Sequence, residues 1–151
     1  MTRLCLLSFA LFFTIPLSAQ QLQLDGLWEG TITVGGITST KGYPVQIYLE
    51  RSGRKVTGRS YVYLSKNRVV EMNMAGHLYE DLSIYIDEVT FVDRQKDGYV
   101  PPFLRKYQLS WNRSINGSSL NGYWQEDRKE IFAGDRERGR IFLKKVVSNK
   151  A

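Results

Sequence analysis

Cysteine and histidine are almost missing from this chain of 151 residues, which has one of each and only four prolines. The single cysteine, Cys5, sits in the apolar stretch at the start, so downstream residues have no disulfide and no thiolate metal site to rely on. Burial and backbone ladders must hold the fold instead. With His77 as the sole imidazole, a zinc site would need carboxylates to complete it. A Ser-His-Asp arrangement would have to use His77 without a nucleophile elbow. The acids between Asp127 and Glu137 lack EF-hand spacing. No metal, no cofactor and no catalytic residue is expected.

Long apolar runs are missing too, with one exception. Leu4 to Ile15 follows Arg3 and is broken by Pro16, and it is shorter than the ~20 residues needed to span a bilayer. Leu17-Ser18-Ala19 then offers a small residue for cleavage. Residues 1–19 are expected to be a secretory signal peptide cut near Ala19, and 20–151 a single exported domain, periplasmic or secreted. Cys5 lacks the small residues that precede a lipidated cysteine, so no lipid anchor is expected, and no transmembrane segment is expected in the mature chain. Removing the first 19 residues leaves 132, enough for one domain with a real core.

Runs of one charge sign are also lacking. Lysine and arginine total 21 against 15 acids, a formal net charge of +6. The cations are scattered, with one group at Arg51, Arg54, Lys55 and Arg59. That group admits polyanion binding as a weaker reading, and nucleic acid is disfavoured.

What the chain does have is period-two alternation between turn signals, with abundant tyrosine and phenylalanine and no helix signature after the leader. Eight strands are predicted, over 26–34, 43–50, 55–64, 68–78, 82–92, 106–112, 119–126 and 140–146. Short connections predict an all-β, antiparallel up-and-down meander, closed or nearly closed into a barrel. A two-residue turn at Ser52-Gly53 would pair Leu49 with Val56 and Ile47 with Gly58. A type I′ turn at Asn116-Gly117 would set Leu109 against Trp124 and Trp111 against Gly122. Each register keeps apolar residues on one face. In the fifth strand the alternation of Leu82, Ile84 and Ile86 switches parity at Val89 and Phe91, predicting a bulge at Asp87-Glu88. Gly30, Gly58, Gly76 and Gly122 fall on the inward row, where glycine serves either sharp coiling of the sheet or room for a ligand.

Met72, Met74, Tyr107, Trp111 and Trp124 are predicted to face inward and would line any cavity. Tyr99 and Phe103, in a long loop, would form its lid. An ordinary packed core accounts for the inward set equally well. Tyr48, Arg59, Tyr61 and Tyr63 share the outward parity of one hairpin, a pattern suited to a protein interface or to stacking. The acid pairs Glu80-Asp81, Asp87-Glu88 and Glu126-Asp127 are expected at strand ends, solvated. Asn112-Arg113-Ser114 and Asn116-Gly117-Ser118 match the glycosylation rule but read as turns.

The early Gly26-Leu27-Trp28 in the first of eight antiparallel strands resembles the calycins: lipocalins, fatty-acid-binding proteins and avidins. The cadence is similar to that of small exported lipocalin-like domains of Gram-negative bacteria. The resemblance implies that Gly26 and Trp28 close the barrel base, with Arg140 or Lys144 packed on the tryptophan. It implies binding of a small apolar or amphipathic molecule, not catalysis, although the polar set with which avidins hold biotin is not recognisable. The alternative expectation is a protein-interaction module of a cell-envelope complex working through the Tyr48/Arg59/Tyr61/Tyr63 face.

Overall fold

The computed structural model describes residues 23–92, 98–129 and 134–147; the expected signal peptide at 1–19, and the outer limits of the expected 20–151 domain, lie outside them. Eight strands follow one another: β1 Gly26–Thr33, β2 Gly42–Ser52, β3 Lys55–Ser65, β4 Arg68–Leu78, β5 Ser83–Phe91, β6 Arg105–Asn112, β7 Ser119–Glu126 and β8 Arg138–Lys145. Each pairs antiparallel with the next, and β1 pairs also with β8, so the meander closes into a barrel. Closure removes both sheet edges, where unpaired N–H and C=O groups would otherwise invite another strand.

Alternation sets the two faces. Along β6, Tyr107, Leu109 and Trp111 are buried while Lys106, Gln108, Ser110 and Asn112 are exposed. The apolar row points into the barrel, where eight strands leave an interior about wide enough for side chains to fill. Trp28, Ile47, Leu49, Met72, Ile84, Leu109, Leu120 and Ile141 all join one cluster there. The polar row faces outward, the reverse of what a membrane-spanning barrel presents to lipid. No helix of the described residues is long and apolar enough to cross a membrane.

Both expected hairpins form, but with their registers displaced by two residues. Gly53 and Arg54 make the β2–β3 turn, Gly53 at φ +63°, with Leu49 opposite Gly58 and Arg51 opposite Val56. The β6–β7 connection is longer than a two-residue turn. It reverses at 114–117, where the Gly117 N–H donates to the Ser114 carbonyl, and Leu109 lies opposite Gly122 and Tyr107 opposite Trp124. A two-residue displacement preserves parity, which is why the inward and outward assignments survive it.

The bulge in β5 falls at Val89. Met74 pairs with Glu88 while Asn73 pairs with Thr90, so Val89 is the extra residue and is exposed. This one-residue difference matters: Glu88 stays on the inward row and is buried, contrary to the solvated position expected for the Asp87-Glu88 pair. Leu82 does not join β5, because its φ of +64° places it in the tight turn after Tyr79, whose carbonyl accepts from the Leu82 N–H.

The inward glycines answer to close strand approach. A Cβ on Gly30 would lie 1.8 Å from the Phe142 carbonyl oxygen, and one on Gly122 2.0 Å from that of Gln108. Gly58 and Gly76 meet neighbouring carbonyls in the same way. Coiled strands pinch together at these points, leaving no room for a side chain.

Candidate functional site

The barrel has two unlike ends. At one, Leu24 and Trp28 close the base: the Trp28 Nε1–H donates to the Leu24 carbonyl at 2.8 Å, and both side chains are buried. The cation over the Trp28 ring is Lys145, with Nζ 5.0 Å from the centroid. Its ammonium also donates to the carbonyls of Gln23, at 2.7 Å, and Asp25. Partial burial holds it below the ordinary lysine range, against the opposing pull of the Asp25 charge. Neither residue expected in this role takes it. Arg140 stands on the outer wall over Tyr123, 5.9 Å from the ring centroid, and Lys144 is exposed. Gly26, at φ +115°, starts β1, where an added Cβ would touch the Lys145 ammonium.

The opposite end receives the longer connections after β1, β5 and β7, and here most of the expected pocket residues converge. Tyr107 and Trp124 are register partners at its rim, buried, with Met72 and Met74 buried on the inward row of β4. Tyr99 and Phe103, half-buried, pack from above against the core, with Leu104 beside them. The Phe103 ring stacks on Trp124 at 6.1 Å and 17°. Tyr99 lies under the Arg68 guanidinium, 4.9 Å from its ring centroid. Trp124 donates through Nε1 to the Thr33 carbonyl at 2.8 Å and lies against Gly139, its register partner, where a Cβ would come within 2.6 Å of Nε1. Trp111 does not join this group. It occupies the inward row four residues further along β6, about 13 Å away toward the base, under the Arg113 guanidinium.

Two charged residues absent from the expected set form the centre of this end. Glu88 has a side chain with no exposed surface, and that of Arg105 is 11% exposed. The carboxylate accepts from Arg105 Nη1 at 3.2 Å, from the Arg105 backbone N–H at 2.8 Å and from the Tyr107 hydroxyl at 2.7 Å. Burial, then the Glu88 charge, pushes the Tyr107 hydroxyl well above the ordinary tyrosine range, so it remains a donor. Burial by itself would lower the Arg105 guanidinium, but the Tyr107 and Glu88 groups outweigh it and raise it. The guanidinium carbon lies 5.2 Å from the Trp124 ring centroid and 5.6 Å from that of Phe103. Its Nε is buried with no hydrogen-bond partner. A buried donor left unmade is unusual and marks a group that a ligand could satisfy.

The sequence did carry a signal for this cluster. Glu88 continues the parity of Ile84 and Ile86, and Arg105 that of Tyr107 and Leu109, so both charges sit on apolar rows of neighbouring strands. Close by, Glu126 is buried at the end of β7. It accepts from the Arg128 Nε at 2.7 Å and the Glu137 N–H at 3.2 Å, and the Arg128 hydrogen bond holds its carboxyl below the usual carboxylate range.

The four residues of the expected interaction face are gathered on one outer wall. Tyr48 lies opposite Arg59, which ion-pairs with Glu71 at 2.9 Å, and the Tyr63 hydroxyl donates to Gln46 Oε1 at 2.6 Å. Tyr48 is 44% exposed, while Tyr61 and Tyr63 are half-buried. His77 faces solvent. Among the described residues no cluster of three or more His, Cys, Asp or Glu side chains is placed to hold a metal ion.

No protein-family profile, no curated protein and no solved structure matches this chain. Its class therefore follows from its own geometry: a closed, eight-stranded, antiparallel up-and-down β-barrel, compatible with a lipocalin-like fold.

Proposed function

We propose that this protein is an exported, non-enzymatic, calycin-like binding barrel that takes a small amphipathic ligand with an anionic head at the loop end. The observation that carries the reading is the Arg105 guanidinium, enclosed by Phe103 and Trp124 with its Nε unpartnered. In this reading an apolar chain displaces Phe103 and Leu104 and packs against Trp124, Met72 and Met74. The head accepts from Arg105, and the segment carrying Tyr99 and Phe103 acts as the lid. A charge-assisted hydrogen bond to a buried guanidinium is roughly twice as strong as a neutral one, which favours an anion over an alcohol.

The test titrates mature protein with dodecanoate and, separately, dodecanol, following tryptophan emission. Dodecanoate should change the Trp124 signal and bind more tightly than the alcohol. Phe103→Ala should tighten binding of both, because the lid no longer competes for the site. No emission change with either compound, or equal affinity for the two, would overturn the reading. Export is checked by the intact mass of the protein recovered from its source, which should correspond to a chain beginning near Gln20.

A second reading, a protein contact on the Tyr48, Arg59, Tyr61 and Tyr63 wall, is favoured by the gathering of all four side chains there. A crosslinked envelope partner should then be lost after Tyr61→Ser plus Tyr63→Ser.

A further inference from the structure

The wall formed by β5 to β8 has a different chemistry from the rest of the barrel exterior, and we propose that it binds an acidic polysaccharide whose sugars carry carboxylates. Tyr85, Gln108, Tyr123 and Arg140 are register partners in sequence, forming one straight row across four strands. At the ordinary spacing between strands the row is about 14 Å long. Gln125 and Arg138 lie on one side of it, Asn121 and Phe142 on the other. Two adjoining hollows, of about 420 and 470 Å³, share Gln108 and Tyr123 as common lining.

Each residue type in the row suits one feature of a sugar. Tyr123 and Phe142, 50% and 45% exposed, offer rings to the apolar C–H face of a pyranose. The amides of Gln108, Gln125 and Asn121 each present donors and acceptors together, which is what a hydroxyl requires. A guanidinium takes a carboxylate through two parallel hydrogen bonds.

Charge selects the acidic member of the class. The outward residues of β6, β7 and β8 include Lys106, Arg138, Arg140 and Lys144 and no acid. Lys106 is tied to Asp127 at 3.1 Å. The outward cations of β8, Arg138, Arg140 and Lys144, make no ion pair with a described carboxylate. Among the described residues the acids nearest the row are Asp87 on β5, which lies opposite Lys106 and lines the first hollow, Asp127, bonded to Lys106, and Glu29 on β1, bonded to Gln46. A neutral glycan would leave those cations unused.

The experiment measures binding of the mature protein to oligogalacturonate, oligoalginate and hyaluronan oligomers by calorimetry, with methyl-esterified oligogalacturonate and duplex DNA as comparisons. At least one acidic oligomer should bind, and the methyl ester of a bound galacturonate should be weaker by about ten-fold or more. Tyr123→Ala should abolish binding, and Arg140→Gln should narrow the gap between acid and ester. Tyr61→Ala, on the opposite wall, should change nothing. Circular dichroism of these surface variants confirms that they fold. Failure of all three oligomers to bind overturns the proposal. So does DNA binding of equal strength that survives Tyr123→Ala, since it would mean diffuse attraction to a basic surface.

Discussion

Arg105→Met removes one half of a buried ion pair while roughly keeping its volume, and its effect can be worked from the geometry. At the 3.2 Å separation of Arg105 Nη1 and Glu88 Oε1, the attraction is about 5 kcal/mol at an effective dielectric of 20. Taking both ions out of water costs several kcal/mol each, so the intact pair adds little net stability. The variant is another matter, because Glu88 then stays buried without its counter-charge, a loss of about 3 to 5 kcal/mol. The Tyr107 hydroxyl and the backbone N–H of residue 105 still reach the carboxylate, which places the expected loss near the lower bound, about 3 kcal/mol. Melting should drop by about 10 °C. Urea unfolding followed by tryptophan fluorescence and circular dichroism measures it. Glu88→Gln in the same background should recover much of the loss, with a coupling energy of about 2 kcal/mol in the double-mutant cycle. A loss below about 0.5 kcal/mol, or strict additivity of the two substitutions, would refute the reasoning, because the pair would then behave as an exposed one.

Two further outcomes follow from neighbouring features. Gly122→Ala drives a Cβ to within 2.0 Å of the Gln108 carbonyl oxygen and 2.9 Å of the Leu109 Cα; neither is a flexible side-chain end, so the urea midpoint should fall by the equivalent of about 2 to 3 kcal/mol. An equally stable variant would show that the β6–β7 approach is looser than described. Glu126 has its carboxyl lowered from 4.5 by Arg128, so it contributes stability that is complete above pH 4.5 and lost as pH falls through the lower folded-state value. Glu126→Gln should flatten that portion of the acid limb in pH-dependent melting, and an unchanged profile would count against the Arg128 contact.

The barrel was legible because alternation is a local property: a residue's parity along a strand fixes its face whatever its partner. Leu109, Trp111 and Trp124 are buried, and Tyr48 and His77 outward, on that ground alone. Register was less legible, since both hairpin pairings keep parity when moved by two residues. The turns that decided between them depend on local backbone geometry, such as the reversal at 114–117. The site was legible in half. Aromatic residues at the loop end followed from parity and loop position. The burial of Glu88 and Arg105 was not legible, because charged residues are far more often solvated than buried.

By itself, then, the sequence determined that the chain builds its fold from alternating strands without disulfides, which residues face inward, and that glycines interrupt the inward rows. Those follow from side-chain geometry and composition, which need no knowledge of distant neighbours. Only the tertiary structure decided that β1 meets β8, and that Lys145 rather than Arg140 covers Trp28. It also decided that the bulge lies at Val89, so that Glu88 meets Arg105 inside the barrel. Each of these depends on a contact between strands or on a one-residue offset, and a single displaced residue turns a side chain from water into the core.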